Sequence, residues 1–334
     1  GCHVRGEDEP VVDVIWADRF GREKGYVGKV AGDFTIGTEN TFALKVESSV
    51  GISQDCYLMI DGTEYGGIVD GVEIDTSADY VTVSGRTWHG LLASRLVVPD
   101  AGQLHYTVSG DLNAVLGELA QRLGLWERMA ADESASGISV SNWKFSRASS
   151  DMDAYVGIRA MLRSAGAKLR IRYDSALRKA VLSAVPRGDY TSDGLDGERV
   201  DFILRRTRPV NHLHCLGTGE GLERVVVDLY ADRAGNVSKT QTITGMALRE
   251  EVFESSSAEA AELEEDGIKR LREMQEEMSE CGLKGADDGR YDIDDIVGGT
   301  SVEHGESVVT YVAQKIATVT SRGITYETKT AMEV

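Results

Sequence analysis

Two histidines and a cysteine lie close enough together in the sequence to suggest a metal site. His212, His214 and Cys215 belong to a segment that alternates like a β-strand, which places both imidazoles on one face and the thiol on the other. A zinc site needs three or four ligands, and no second cluster in the sequence supplies the remainder. The pattern favours a strand with two half-exposed histidines, so we predict no metal ligand and no cofactor.

A glycine-rich segment follows the histidines and resembles a phosphate-binding loop only in composition. Residues Gly217–Gly221 have the spacing G-x-G-x-G, whereas the dinucleotide-binding fingerprint is G-x-G-x-x-G and leads into a helix. Here Val225, Val226 and Val227 follow, which is typical of a strand. We therefore predict a glycine hairpin and no nucleotide site.

Acidic residues cluster in two places late in the chain. The runs 287–289 and 292–295 are rich in Asp, but they lack the glycine and glutamate positions of a calcium-binding EF-hand loop. The pairs Glu264-Glu265 and Glu276-Glu277 fit the charged face of a helix. Solvated acids are the prediction for both places.

No signature of nucleophilic or zinc-protease catalysis is found in the sequence. His304 precedes Gly305 in a pattern unlike a zincin helix, and His89 beside Trp88 is typical of packing. The basic run Arg205-Arg206-x-Arg208 suits a solvated strand end better than a docking surface for an acidic partner. We predict that the chain has no catalytic residue and is not an enzyme.

The elements that position these residues are mainly strands. In residues 11–98, short segments alternate in hydrophobicity, with Phe42, Leu44 and Val46 on one face, and Asp61-Gly62 is a hairpin dipeptide. Five or six such strands in fewer than 90 residues suggest a small barrel or sandwich.

The middle of the chain adds helices. Apolar residues recur every three or four positions before Gly124, with Ser109 or Asp111 as the N-cap. Further helices are predicted at 151–164 and at 257–280, the latter capped by Ser256 with Glu259 and ended by Gly282. Strands are predicted at 167–173, 180–185, 200–204, 211–216, 223–230 and from 293 to the end of the chain.

The predicted fold class is α+β and β-rich. Two small antiparallel β-barrel-like domains flank an α+β middle domain, and a long charged helix is inserted in the second. The predicted bounds are 11–98 for the first β domain, 99–190 for the middle domain, 195–250 plus 285–334 for the second β domain, and 255–281 for the helix.

Charge and composition exclude several classes of protein. Acidic residues outnumber basic ones by 55 to 36, for a net charge of −19, whereas binders of duplex DNA or anionic membranes need a surplus of cations. No apolar run approaches the roughly 20 residues of a membrane span. Four dispersed cysteines fit a reducing compartment. We expect a soluble protein made in a cytoplasm.

Several motifs occur in an order that resembles a known family. They are Val72-Glu73-Ile74-Asp75, Ser84-Gly85-Arg86 followed by Leu91-Leu92 and Arg95, the turn Leu216–Gly221, Tyr291–Val297, and Gln314-Lys315-Ile316. Together they resemble siphovirus tail proteins of the baseplate-hub type, from phages and prophages of Gram-positive hosts. The resemblance extends over about residues 11–332. Many relatives have Gly where this chain has Asp294, so that turn is expected to differ.

The resemblance implies a structural role in the virion. Such hubs are trimers at the tail tip, in which two β-barrel domains per subunit form a ring that matches the tail tube, and a distal tail protein is a further partner. DNA passes the lumen without specific binding, and a negative wall would keep it from adhering. Assembly in the host cytoplasm is expected.

Two other functions compete with this interpretation. A carbohydrate-binding module would need aromatic residues on one face, whereas Trp88, Trp126 and Trp143 are scattered along the sequence. A peptidoglycan hydrolase would need a paired acid or Cys/His site, which the sequence does not offer.

Overall fold

The computed structural model describes residues 12–146, 153–191, 201–276, 279–284, 289–301 and 305–332. The chain divides into two units, which we call unit 1 (residues 1–200 and 285–330) and unit 2 (residues 201–284 and 331–334). In the described ranges most ordered residues are in strands, as the β-rich prediction requires. None of the helices in these ranges combines the length and the apolar character of a membrane span.

The elements are numbered along the chain. The strands are β1 Val14–Ala17, β2 Glu23–Val27, β3 Val30–Ile36, β4 Thr41–Glu47, β5 Tyr57–Met59, β6 Gly66–Ile74, β7 Tyr80–Thr87, β8 His105–Asp111, β9 Met129–Ala131, β10 Ser139–Ser146, β11 Ala167–Asp174, β12 Lys179–Pro186, β13 Asp189–Tyr190, β14 Asp201–Arg206, β15 His212–Leu216, β16 Val226–Ala231, β17 Val237–Ser238, β18 Glu250–Glu254, β19 Ser279–Lys284, β20 Ile296–Ser301, β21 Glu306–Thr320 and β22 Gly323–Met332. The helices are α1 Trp88–Ala93, α2 Leu112–Arg122, α3 Ala154–Ser164 and α4 Ala260–Glu276.

Unit 1 is organised around one large sheet. Its strands lie in the order β22-β21-β3-β4-β7-β6-β5-β1-β2, and β20 pairs with both β21 and β13. Along β4, Phe42, Leu44 and Val46 are buried while their neighbours are exposed, which confirms the predicted alternation. The sheet stays open with β2 at its edge, and no sheet in the described ranges closes on itself. The predicted barrel-like form is therefore not observed.

The long strand β21 joins the end of the chain to its beginning. Its first half pairs with β20 over Glu306–Tyr311, and its second half pairs with β3 over Lys315–Val319. The late strands thus complete the sheet that the first strands begin. The division into two units is coarser than the predicted segments, whose bounds remain a prediction.

Helices and two small sheets cover part of unit 1. Asp111 caps α2 by accepting a hydrogen bond from the Asn113 amide, and Gly124 adopts a φ of 69° just beyond the helix, both as predicted. The sheets are β8-β10 and β9-β12-β11. One apolar core contains buried residues of α1, α2, α3 and these strands, and the Trp88 ring stacks between Tyr57 and Tyr173.

Unit 2 contains the sheet β17-β16-β15-β18 and the pair β14-β19, together with α4. Leu263 and Leu271 of α4 are buried with Leu213 of β15 in one apolar cluster. Gly267 permits this close packing, because a Cβ there would lie 2.7 Å from the Cys215 sulfur.

The predicted end of the long helix is wrong. Helix α4 stops at Glu276, and residues 279–284 form strand β19 instead. Gly282, which was expected to end the helix, pairs with Ile203 of β14. Serine, cysteine and glycine are weak helix formers, so strand pairing decides the conformation of this segment.

Candidate functional site

The motif Tyr291–Val297 forms a turn in which carboxylates meet cations of α3 and β11. Asp294 has a φ of 71°, a left-handed conformation that costs most residues about 1–2 kcal/mol but that glycine adopts freely. Arg159 of α3 holds the Asp294 carboxylate with two hydrogen bonds of 2.8 and 2.7 Å, and Arg163 adds a third at 3.1 Å. Asp294 thus combines a glycine-like backbone with ionic partners.

The next residue of the turn anchors a buried lysine. Lys168 of β11 donates to both Asp295 carboxylate oxygens, at 2.7 and 2.9 Å, and to Asp292 at 2.8 Å. Asp295 also accepts from the amide of Gly188. Burial lowers the pKa of Lys168, but the Asp292 and Asp295 carboxylates outweigh it and raise that pKa above its ordinary value. The lysine remains charged at physiological pH.

We call Arg159, Arg163, Lys168, Asp292, Asp294 and Asp295 the charge cluster. Its ion pairs join positions 124 to 135 residues apart in the sequence. Asp294 and Asp295 are 2% and 0% exposed, so their charges depend on these partners rather than on water. The motif is a cross-link within unit 1. The prediction that the acids of 292–295 are solvated is therefore wrong for Asp294 and Asp295, which are buried against cations from α3 and β11.

A second buried group extends this cross-linking. Lys315 of β21 lies 3.8 Å from Asp292 and 3.6 Å from Glu64, and Glu64 is within 3.1 Å of His89 Nε2. Burial raises the pKa of Glu64, but His89 and Lys315 outweigh it and hold that pKa below its ordinary value. His89 is therefore a buried partner of a carboxylate, as the packing prediction implied.

The Ser84-Gly85-Arg86 motif has a similar function on β7. The Arg86 guanidinium donates to both carboxylate oxygens of Asp70 on β6, each at 2.8 Å, and to the Ser94 hydroxyl after α1. The hydrogen bond from Arg86 lowers the pKa of Asp70. Arg86 thereby ties a strand pair to the short helix that follows the motif.

In unit 2, the two sequence-predicted histidines meet two carboxylates. His212 Nε2 and His214 Nδ1 each lie 2.7 Å from the same Asp228 oxygen, and His212 Nδ1 lies 2.6 Å from Glu250. Strand register explains the arrangement, because Asp228 of β16 is opposite His214 and Glu250 of β18 is opposite His212. We call these four residues the histidine cluster.

His212 stacks on an aromatic ring and faces two carboxylates. Its ring stacks on Tyr230 with centroids 4.4 Å apart. Burial lowers the pKa of His212, but the hydrogen bonds to Asp228 and Glu250 outweigh it and raise that pKa. Cys215 is buried on the other face, where burial raises the pKa of its thiol to about 11. The predicted separation of thiol from imidazoles is observed.

The other sequence candidates are not brought together. Residues Gly217–Gly221 join β15 to the antiparallel strand β16, which confirms the predicted hairpin. Trp88 is 1% exposed and Trp126 is 49% exposed, while Trp143 is partly buried. Arg208 donates to the Met246 carbonyl. Outside the described residues are Asp287, Asp288, Glu277 and His304 and the side chains of Arg205, Arg206 and Glu276.

Sequence reasoning missed Asp228 and Glu250 as partners of the histidines. The hairpin gave only an approximate signal for Asp228, because the pairing of His214 with Asp228 centres the turn on Gly221, at the end of the glycine segment rather than at its middle. The sequence contains no signal for Glu250, because β18 runs parallel to β15 after a long connection.

No protein-family model matches this chain, and neither does any curated protein sequence. Among solved structures, it is similar to prophage MuSo2 43 kDa tail protein from Shewanella oneidensis, with a TM-score of 0.48 and 12% identity over 96% of this chain and 98% of that one. It is also similar to prophage tail protein gp18 from Listeria monocytogenes, with a TM-score of 0.47 and 11% identity over 96% of this chain and 94% of that one. A tail protein from Neisseria meningitidis has a TM-score of 0.45 and 13% identity over 96% of both chains.

All three of these similar structures are tail proteins. The similar structures come from several bacterial genera, so a restriction to phages of Gram-positive hosts stays a prediction.

Proposed function

We propose that this chain is a structural subunit of a phage tail tip or baseplate hub, which caps the tail tube and attaches host-recognition or lysis proteins. The observation that carries the proposal is that two of the motifs that resemble those of hub proteins are the points where ion pairs cross-link unit 1. Arg86 binds Asp70 across β6 and β7, and the Tyr291–Val297 turn binds α3 and β11. A subunit at the tip of a tail must hold its shape while partners pull on it.

Surface charge is compatible with DNA passing nearby. A shallow groove on the sheet of unit 1 is lined by the acidic residues Asp33, Glu39 and Asp70. The basic residue Arg86 also lines it, but its charge is paired with that of Asp70. Together with the net charge of −19, this surface would repel phosphates. We propose that the groove faces the lumen of the assembled ring.

The proposed assembly is a homotrimer that joins the tail tube and a distal tail protein after synthesis in the host cytoplasm. Light scattering behind size exclusion, over a wide range of protein concentrations, tests the trimer. A mass near three times 36.2 kDa supports a ring. A strict monomer at every concentration would mean that trimers form only in contact with a tail partner. It would also favour direct binding to the cell wall over the hub role.

Immunogold labelling tests the location independently. Antibodies raised against the purified chain are applied to phage particles induced from the source strain, with preimmune serum as the control. Gold at the distal end of the tail is expected. Labelling along the whole tube or on the head would refute the tail-tip role. So would a lack of labelling on particles in which mass spectrometry detects the chain.

The competing functions have direct assays. A cell-wall module would sediment with purified peptidoglycan, and a hydrolase would clear it in a zymogram. Trp88 is buried and Trp126 is exposed, so the described tryptophans do not form one sugar-binding face. The proposal predicts neither activity.

A further inference from the structure

We propose that His212, His214 and Asp228 bind one divalent transition-metal ion of the zinc type, with Glu250 orienting His212. This site is separate from the proposed tail role, which needs no metal. Two imidazole nitrogens and one carboxylate oxygen converge here, all within 4.8 Å of one another. Imidazole and carboxylate are the ligand types that zinc shares with other late first-row metals.

The spacing of these atoms is close to that of a bound state. Zinc holds imidazole nitrogen and carboxylate oxygen at about 2.0–2.2 Å, so tetrahedral ligands lie about 3.3 Å apart. The two nitrogens are now 2.7 Å from Asp228, and each distance must open by about 0.6 Å. His214 and Asp228 are 41% and 40% exposed, which gives both side chains room to move and gives the ion a path from solvent.

Glu250 supplies the independent observation. Metal-binding histidines usually donate their second ring N–H to a carboxylate, which fixes the tautomer and the ring orientation. Glu250 lies 2.6 Å from His212 Nδ1, so Nε2, which now lies 2.7 Å from Asp228, is the nitrogen that would bind the metal. Tyr230 stacks beneath the same ring. A simple ion pair with Asp228 does not require this second carboxylate.

The rigid scaffold and the charge favour a cation. His212 and His214 lie on the same strand, flanked by β16 and β18, and strands hold ligands more firmly than loops. With neutral imidazoles the cluster carries two negative charges, which a divalent ion neutralises. Three protein ligands leave one coordination position for water.

Calorimetric titration of the tag-free full chain with zinc chloride, after removal of metal with EDTA, is the test. One ion per chain is expected. His212→Gln and Asp228→Asn should each weaken binding at least tenfold, and Glu250→Gln should weaken it by about 10–100-fold while leaving the ligands in place. Glu251→Gln is the matched control, because it makes the same charge change at the next position of β18, which faces the opposite side.

Long-range proton–nitrogen NMR spectra of the histidine side chains locate the ion. Zinc should shift the resonances of His212 and His214 and leave those of the other four histidines of the six in the chain in place. His214→Gln provides a variant at an exposed position that tests the site without risk to the core. Absence of binding, equal affinity in the ligand variants, or shifts at other histidines would overturn the proposal.

Discussion

The charge cluster of unit 1 and the histidine cluster of unit 2 both pair carboxylates with nitrogen groups, but they differ in burial and in the kind of nitrogen group. In the charge cluster, Asp295 is fully buried and its partner Lys168 is 8% exposed. In the histidine cluster, Asp228 is 40% exposed and its partners are two imidazoles. Arginine and lysine side chains paired with buried carboxylates make a structural cross-link. Imidazoles and carboxylates near water form the cluster at which we propose a metal ion.

The largest expected effect comes from removing a buried charge. Asp295→Asn leaves Lys168 with Asp292 alone and should destabilise unit 1 by about 3–5 kcal/mol. Urea unfolding followed by tryptophan fluorescence measures this, because all four tryptophans, at positions 16, 88, 126 and 143, lie in unit 1.

Adding Lys168→Met to the Asp295→Asn variant should recover part of the loss, since an apolar pair avoids an uncompensated buried charge. A loss below about 1 kcal/mol in the single variant would mean that the cluster behaves like an exposed pair and would remove the contrast between the two regions.

Asp294→Gly separates backbone strain from ion pairing. The glycine relieves the left-handed backbone by about 1 kcal/mol but frees Arg159 and Arg163, so we expect a net destabilisation of about 2 kcal/mol. In an Arg159→Met/Arg163→Met background, the same substitution should become stabilising. Stabilisation in the wild-type background, measured by the same urea titration, would show that the ion pairs contribute little.

Glu64 makes the free energy of unfolding of unit 1 depend on pH. Its pKa is lowered below the ordinary value of 4.5, so the stability it contributes is fully present above pH 4.5 and is lost as pH falls through the lowered pKa. Glu64→Gln should therefore destabilise the protein by about 1.5–3 kcal/mol near neutral pH, and the difference from wild type should shrink in acid. Urea titrations at a series of pH values measure it; a constant difference would contradict the assignment.

The smallest effect is expected in the exposed cluster. Asp228→Asn should change the stability of unit 2 by no more than about 1 kcal/mol, because partly exposed ion pairs are screened by water. Hydrogen exchange of the β15 and β16 amides measures it. High salt should reduce even this difference, whereas the Asp295→Asn effect should persist. An effect of Asp228→Asn as large as that of Asp295→Asn would abolish the comparison.

Local features of the fold were predictable from the sequence, and contacts between distant segments were not. The alternation at Phe42 and Leu44 and the cap at Asp111 depend on neighbouring residues alone, and both are observed. The end of α4 was missed because residues 279–284 pair with β14, which local propensity does not encode. The open edge of the large sheet likewise depends on how nine strands are ordered.

The same limit applies to the two clusters. The histidines were recognisable as possible ligands, but their carboxylates come from two other strands. In the charge cluster, the motif Tyr291–Val297 was recognisable as a short segment, whereas its partners Arg159 and Lys168 lie more than 120 residues earlier in the sequence. Composition does not indicate which acids are solvated and which are buried.

Strand β21 gives unit 1 a particular response to mechanical force. At about 3.4 Å per residue, its 15 residues extend roughly 50 Å, with β20 along one half and β3 along the other. Ladder hydrogen bonds run perpendicular to the strands, so a pull along β21 loads them together in shear rather than one after another as in unzipping. Tension applied at one end of this strand would reach the first strands of the chain without passing through a loop.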